Sequence, residues 1–581
     1  MRSAIALLAF LPCLASAATY EVGPGQPLAN VGDVPWESLN AGDTVLIHWR
    51  STSYKEKFVL CRQGMQAAPI VVRGVLGPNG ERPVIDGDGA TTRSALDFWG
   101  EERGVIKIGG ANKPADLMPQ WIVLENLDVT SGRPPFQFTG RNGLTAYAQN
   151  AAAIYVEKGE NLTLRNCVIR DSGNGLFAGS QTKDLLVEGN DLRDNGNSGS
   201  IYEHNNYTAA VGITFQYNRF RPLRAGCSGN NLKDRSVGTV IRYNWIEGGN
   251  RNLDLVDAED DPTLTGDPRY RQTFVYGNVL IKPDGGNSQV VHYGGDSGNT
   301  TIYRKGTLYF FNNTLVSTRA GNTTLLRLST NEERADVRNN VLYVTGSGSS
   351  LGIVDSTGVV DLWSNWTKPG WVNSHSGLQG TLTDQGGAVS GSAPGFADEA
   401  GGDYHLAAGS ACLDQGASLN AAVLPDHPLD LQYLPHQGFE PRPSDGPLDL
   451  GAFERCASAA CTLPDAGAPM PPDAATPAGP DASTPPDLDA SVAPELDASV
   501  ADSSALPGVD AEAGSGPDAA SPPAADAAVA DASTPVADAS LPPGAISSSC
   551  GCGAPGAAVL PPMWTLVAWL FVGARRRRPM P

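Results

Sequence analysis

The chain has 581 residues, with 41 Lys and Arg against 62 Asp and Glu, for a formal net charge of −21. That surplus of acid argues against general nucleic-acid binding, which needs a basic face, and suits a solubilised exported protein. Glycine is abundant at 67 residues and helix-period apolar patterns are scarce, so turns and short strands replace long helices.

Residues 1–17 combine Arg2, an apolar run and the small-residue site Ala15-Ser16-Ala17. This is the pattern of a secretory signal peptide cut near Ala17. Pro12 before Cys13 spoils a lipoprotein cleavage box, so a soluble export product is expected. Residues 18–461 read as one domain. It opens with short β-branched runs at 42–49, 68–74 and 83–87, separated by Gly and Pro turns.

Asparagine then returns in a constant apolar setting: Asn126, Asn166, Asn190, Asn218, Asn244, Asn278, Asn313, Asn340 and Asn365. The intervals are 40, 24, 28, 26, 34, 35, 27 and 25 residues. A core of about 25 residues with variable excess means stacked coils with loops inserted on one side. A buried amide can donate to one neighbouring coil and accept from the other, which suits Asn to a stacked turn. The fold class expected is all-β, a right-handed parallel β-helix. Longer loops interrupt it near 133–150, 195–208, 222–236 and 256–271.

The densest ionisable stretch is 219–271. Arg219, Arg221, Arg224, Lys233 and Arg235 form a basic block, followed by Asp254, Asp257, Glu259, Asp260, Asp261 and Asp267. Residues some 25 apart become neighbours when coils stack, and Lys233 precedes Asp257 by 24. A basic strip beside carboxylates suits an anionic polymer and a hard cation together. Asp254, Asp257, Glu259, Asp260 and Asp261 supply the oxygens that Ca²⁺ takes; the same block also reads as a solvated acidic loop paired with arginines. Arg219, Arg221 and Arg224 are expected to bind the polymer. Tyr202, His204, Tyr207, Trp245, Tyr270 and Tyr293 are candidates to stack on sugar rings.

Cys456 and Cys461 are close enough in sequence to close a small loop in an oxidising compartment. Cys61, Cys167, Cys227 and Cys412 are too scattered for a zinc pattern. Residues 462–549 hold 14 acids, no Lys or Arg and nothing aromatic, the composition of a disordered, self-repelling linker. Residues 550–581 join CGCG, an apolar run at 557–574, expected to be helical, and Arg575 to Arg578. This order resembles the C-terminal sorting signal of myxobacterial surface proteins. It implies a sorting and processing partner, with membrane contact only through this segment and display on, or release from, the outer surface.

The stretch 230–249, NNLKDRSVGTVIRYNWIEGG, resembles a recurrent segment of β-helix polysaccharide lyases of the alginate lyase and chondroitinase B-like family. The resemblance implies that Lys233 is the base of a β-elimination. Arg235 would then engage the uronate carboxylate, and Arg251, His292 or Tyr293 would donate the proton. Removing a weakly acidic C-5 proton requires the adjacent carboxylate to be neutralised. A lysine crowded by Arg235 and Arg224 is expected to lose its charge more readily. The family's Leu-Arg-His-Gly turn is absent; Leu253-Asp254-Leu255 stands there instead, with Arg251 two residues away. The sequence thus points to a secreted monomer acting on an acidic polysaccharide. The rival is a non-catalytic carbohydrate-binding or adhesin-like rod.

Overall fold

The computed structural model describes residues 17–456 and 461–462; the expectations for residues 1–16, 463–549 and 550–581 lie outside them. The backbone winds as a parallel β-helix. Each coil contributes short strands that pair in register with the coils before and after, so all but the hairpins are parallel. An 11-stranded sheet runs from Val84–Asp86 to Val389–Ser390. The other strands form two further rows. These merge into one sheet because Ala152–Arg165 and Asn174–Glu188 bend through both rows without a break. The bends fall at Asn161 and Asp184, which hold left-handed backbone (φ 55° and 51°). Asn and Asp tolerate that region better than other non-glycine residues.

Alternation along each strand decides what is buried. Leu232, Leu253, Val291, Leu326 and Val354 follow one another in register and face inward, all within one aliphatic core. The asparagine ladder is present from Asn190 to Asn365. Each side-chain Oδ1 accepts the backbone N–H and the Nδ2–H of the asparagine one coil earlier, as in Asn218–Asn244 (both 3.0 Å) and Asn244–Asn278 (both 2.9 Å). Each Nδ2 also donates to a carbonyl of the preceding coil.

Asn126 and Asn166 are a correction. They carry left-handed backbone (φ 58° and 53°), the place that Gly189, Tyr217, Tyr243 and Gly277 fill in later coils. Ladder positions in those two coils belong to buried Leu127 and Cys167, and the ladder begins where the Cys167 N–H donates to Asn190 (2.9 Å).

The segment 448–454 (LDLGAFE) folds back along the outside of the stack, where Gly451 N–H donates to Asn339 and Ala452 N–H to Thr314. Together with Tyr404, Leu429 and Tyr433 it covers an aromatic face made by Tyr243, Tyr276, Phe311 and Trp366. Cys456 and Cys461 form the expected disulfide, and the four scattered cysteines are free.

Candidate active site

The strands Asn206–Thr208, Leu232–Asp234, Leu253–Leu255, Gln289–Tyr293 and Thr323–Leu328 are successive rungs of one row. Their register sets Tyr207, Lys233, Asp254, His292 and Arg327 side by side on the outer face. Ile201 and Tyr202 of the 195–205 loop, Glu259 of the 256–271 loop, and Arg251 and Asp296 border this row. Between them lies a cleft of about 420 Å³, lined by Tyr202, His204, Lys233, Arg235, Arg251 and Asp296 among others.

Asp254 is the hub. Its Oδ2 accepts from Lys233 Nζ (2.8 Å) and Asn230 Nδ2 (2.7 Å), and its Oδ1 from His292 Nδ1 (2.8 Å), with Arg251 at 3.7 Å. Lys233 also donates to Asp296 (2.5 Å). Arg235 spreads its guanidinium over Tyr207 Oη (2.9 Å), Asp257 (3.2 Å), Glu259 (3.0 Å) and Asp296 (2.9 Å). Tyr207 Oη in turn donates to Asp260 (2.8 Å).

Protonation states follow from these partners. Burial raises the Asp254 carboxyl, but Lys233, His292 and Arg251 outweigh it and hold the group well below the usual carboxylate range. Asp296 is lowered in the same way by Lys233 and Arg235 against its own burial. Burial, reinforced by the Lys233 charge, pushes His204 down to about 3. His204 is therefore neutral, and because Nδ1 accepts the Asn230 N–H (2.9 Å), Nε2 carries the proton. Burial also raises the Tyr207 phenol, keeping it protonated.

The expected residues separate into those the cleft gathers and those it does not. Lys233, Arg235, Arg251, His204 and Tyr207 line it. The groups within hydrogen-bond reach of Lys233 Nζ are carboxylates and not the expected arginines. Its rung partner is Asp254 and not Asp257, because this coil is shorter than 24 residues. His292 lies behind Asp254, its Nε2 on Ser329 Oγ (2.9 Å), so both ring nitrogens are engaged. Tyr293 points the other way, into the aliphatic core.

Arg219 sits in the 11-stranded sheet, paired in register with Asp191 and Trp245, and Arg221 is 3.5 Å from Asp191. Arg224 bonds Asp171 and the Gly196 carbonyl. None of the three lines the cleft: Arg219 is on a strand of the 11-stranded sheet, and Arg221 and Arg224 follow it toward Asp191 and Asp171. Nor is Tyr207 a sugar platform: Phe177 stacks on it at 5.6 Å and His204 at 5.9 Å, leaving its edge to the cleft. Trp245 is stacked on Tyr404, and Tyr270 is buried. Tyr202, 76% exposed at the rim, is the aromatic face a sugar can reach.

The five carboxylates expected to hold Ca²⁺ do not fit it in this arrangement. Asp254 is saturated as described, Asp257 accepts from Arg235, Ser297 and the Asp296 N–H, and Glu259 pairs with Arg235. Asp260 takes the Tyr207 hydroxyl, and Asp261 caps Thr263. Among the described residues no group of three or more His, Cys, Asp or Glu side chains is arranged to hold a metal.

Asp296, Asn230, Gln289 and Ser329 were not anticipated. Asp296 lies in VVHYGGD, four residues beyond His292, so proximity to a candidate histidine was the available signal. Ser329 completes a Ser–His–Asp line with His292 and Asp254. Its Oγ is, however, enclosed by the Gly295 N–H and Gly295 carbonyl (both 2.9 Å) as well as the imidazole. These contacts make it a brace for the histidine.

Residues 85–267 match the family model described as right handed beta helix region. The fold is a right-handed parallel β-helix. Solved structures with this fold include the pectate lyase Pel9A, 14% identical over 76% of this chain and 98% of that one, at a TM-score of 0.41. An alginate lyase from Paenibacillus sp. str. FPU-7 is 13% identical over 56% of this chain and 93% of its own, at 0.34. A GH136 lacto-N-biosidase from Eubacterium ramulus is 12% identical over 64% of this chain and 68% of its own, at 0.36. At such identities and TM-scores these likenesses carry no argument about activity. No curated protein matches the sequence. Among the described residues, no helix is long and apolar enough to cross a membrane.

Proposed function

We propose that the right-handed β-helix cleaves an acidic polysaccharide at this cleft by β-elimination, acting as an exported lyase displayed at or released from the cell surface. The observation that carries the reading is the outward run Tyr207–Lys233–Asp254 on three consecutive rungs, opening into a cleft flanked by Arg235 and Arg251. Lys233, held at rest as an ammonium by Asp254 and Asp296, takes the C-5 proton of a uronate once it has given up its own proton to solvent. Asp254 and Asp296 already face the nitrogen and stabilise the ammonium as it forms, without rearranging. Arg251, at the rim, faces the uronate carboxylate, and its charge favours the carbanion-like transition state. Tyr207, held protonated one rung away, gives its proton to the departing O-4, and Arg235 Nε–H steadies the phenolate that results. Each cycle moves one proton from carbon to Lys233 and one from Tyr207 to oxygen, and exchange with solvent then removes the proton from the ammonium and returns one to the phenolate.

The same two carboxylates favour a second reading. Asp254 and Asp296 both touch one ammonium, so they flank a common point, as the paired carboxylates of glycoside hydrolases do at roughly 5–5.5 Å. Digestion products separate the two. Elimination leaves a conjugated unsaturated uronate that absorbs in the ultraviolet; hydrolysis yields saturated ends only. Polygalacturonate, alginate and glycosaminoglycans are the substrates to try. Unsaturated product on one of them supports the lyase, and new reducing ends without the chromophore overturn it in favour of hydrolysis. Binding without any product leaves a carbohydrate-binding rod.

A further inference from the structure

The row that holds Lys233 and Asp254 continues past the cleft. His292 pairs in register with Arg327, which is exposed and makes no ion pair or hydrogen bond among the described residues. Every other cation of the site is committed: Lys233 to Asp254 and Asp296, Arg235 to three carboxylates and a tyrosine, Arg251 to Gln289 and Asp254. A guanidinium with all its donors free is the group best able to take a new carboxylate in two parallel hydrogen bonds. Rungs in this row are about 4.8 Å apart, so Arg327 stands about 14 Å along the row from Lys233. A polymer lying along the row reaches both at once.

We infer that Arg327 is a remote subsite for a carboxylate of the same acidic chain, setting preference for a polyanion of several sugars over a short or neutral one. This rests on the proposed substrate class but is tested apart from the chemistry. Ser329, two residues beyond Arg327 at the end of the same strand, holds His292 and the Gly295 N–H, so the segment that carries Arg327 is braced.

The experiment is affinity electrophoresis of the full chain in gels holding polygalacturonate, alginate or a glycosaminoglycan. The best-bound polymer is then compared with its carboxyl-reduced form and with a short oligomer. Arg327→Ala should weaken binding of the intact polyanion about five- to tenfold and Arg327→Glu more. Arg327→Lys should recover part, and affinity for the reduced polymer and the oligomer should not change. Because the side chain is exposed and unpartnered, folding is not at issue in these variants. Equal binding by wild type and Arg327→Ala, or an equal loss on charged and reduced polymers, overturns the inference, as does a wild type that binds no polyanion. If Arg327→Ala loses affinity while no unsaturated product ever forms, the subsite stands and the elimination reading falls. If product forms and Arg327→Ala binds normally, the reverse holds.

Discussion

Lys233 Nζ lies 2.8 Å from Asp254 Oδ2, with the two side chains only 8% and 2% exposed. Breaking a buried pair so that one charge is left alone costs about 3–5 kcal/mol. Because Asp296 still pairs with Lys233, Asp254→Asn should cost less, about 1.5–3 kcal/mol, in a urea titration at neutral pH. The Asp254 carboxyl is held below its unfolded value, so its contribution is complete above about pH 4 and fades as pH falls through the lower folded value. The gap between wild type and Asp254→Asn should therefore narrow on acidification. A gap independent of pH would mean that the pair is not ionic.

His204 predicts a second acid limb. Its folded value of about 3 lies far below the unfolded imidazole value of about 6.5. Between those limits the unfolded chain binds a proton that the folded one refuses, so stability falls steadily as pH drops from about 6.5. His292, lowered chiefly by burial, acts in the same direction. His204→Gln, which keeps an acceptor for the Asn230 N–H, should flatten the fall in urea midpoint over this range by a measurable amount. A profile as steep as wild type would place the loss elsewhere.

The ladder makes a prediction that separates two kinds of asparagine. Asn278 Oδ1 accepts both the N–H and the Nδ2–H of Asn244, so Asn278→Ala strands the buried Asn244 N–H, weakens the ladder and should cost about 1–3 kcal/mol. Asn166 holds only a left-handed turn, where Ala pays about 1–2 kcal/mol and Gly nothing. Asn166→Gly should be near neutral and Asn278→Gly should not. Thermal or urea unfolding of the two glycine variants makes the comparison.

The same contrast shows what the sequence revealed and what it hid. Repeated asparagines disclosed the stack because an amide ladder and a tight turn both favour that residue. For that very reason Asn126 and Asn166 read as ladder members when they occupy the turn one position earlier. Lys233 was visible through its motif and charge block. Its partner was misjudged by three residues because coil length varies locally: Lys233 pairs with Asp254 at a separation of 21. Asp296, at a separation of 63, reaches the same nitrogen from two coils onward, which no local pattern reveals. Arg219, Arg221 and Tyr293 failed for a simpler reason. Composition says nothing about which face a side chain takes, and a shift of one residue along a strand reverses it.

The engaged carboxylates predict indifference to chelation. With Asp254, Asp257, Glu259, Asp260 and Asp261 each bonded to a different protein donor, EDTA should leave the rate of product formation unchanged. A rate that collapses with EDTA and returns with Ca²⁺ would show that these side chains rearrange around a cation.

The rate of unsaturated-uronate formation by wild type and Lys233→Ala, at equal folded concentration and across neutral to alkaline pH, decides whether Lys233 is the base. The free amine is the reactive form, so wild-type activity should rise with pH. Lys233→Ala should lose on the order of a hundredfold or more while still binding polymer. Retention of the wild-type rate and pH profile by Lys233→Ala would mean that another group removes the proton.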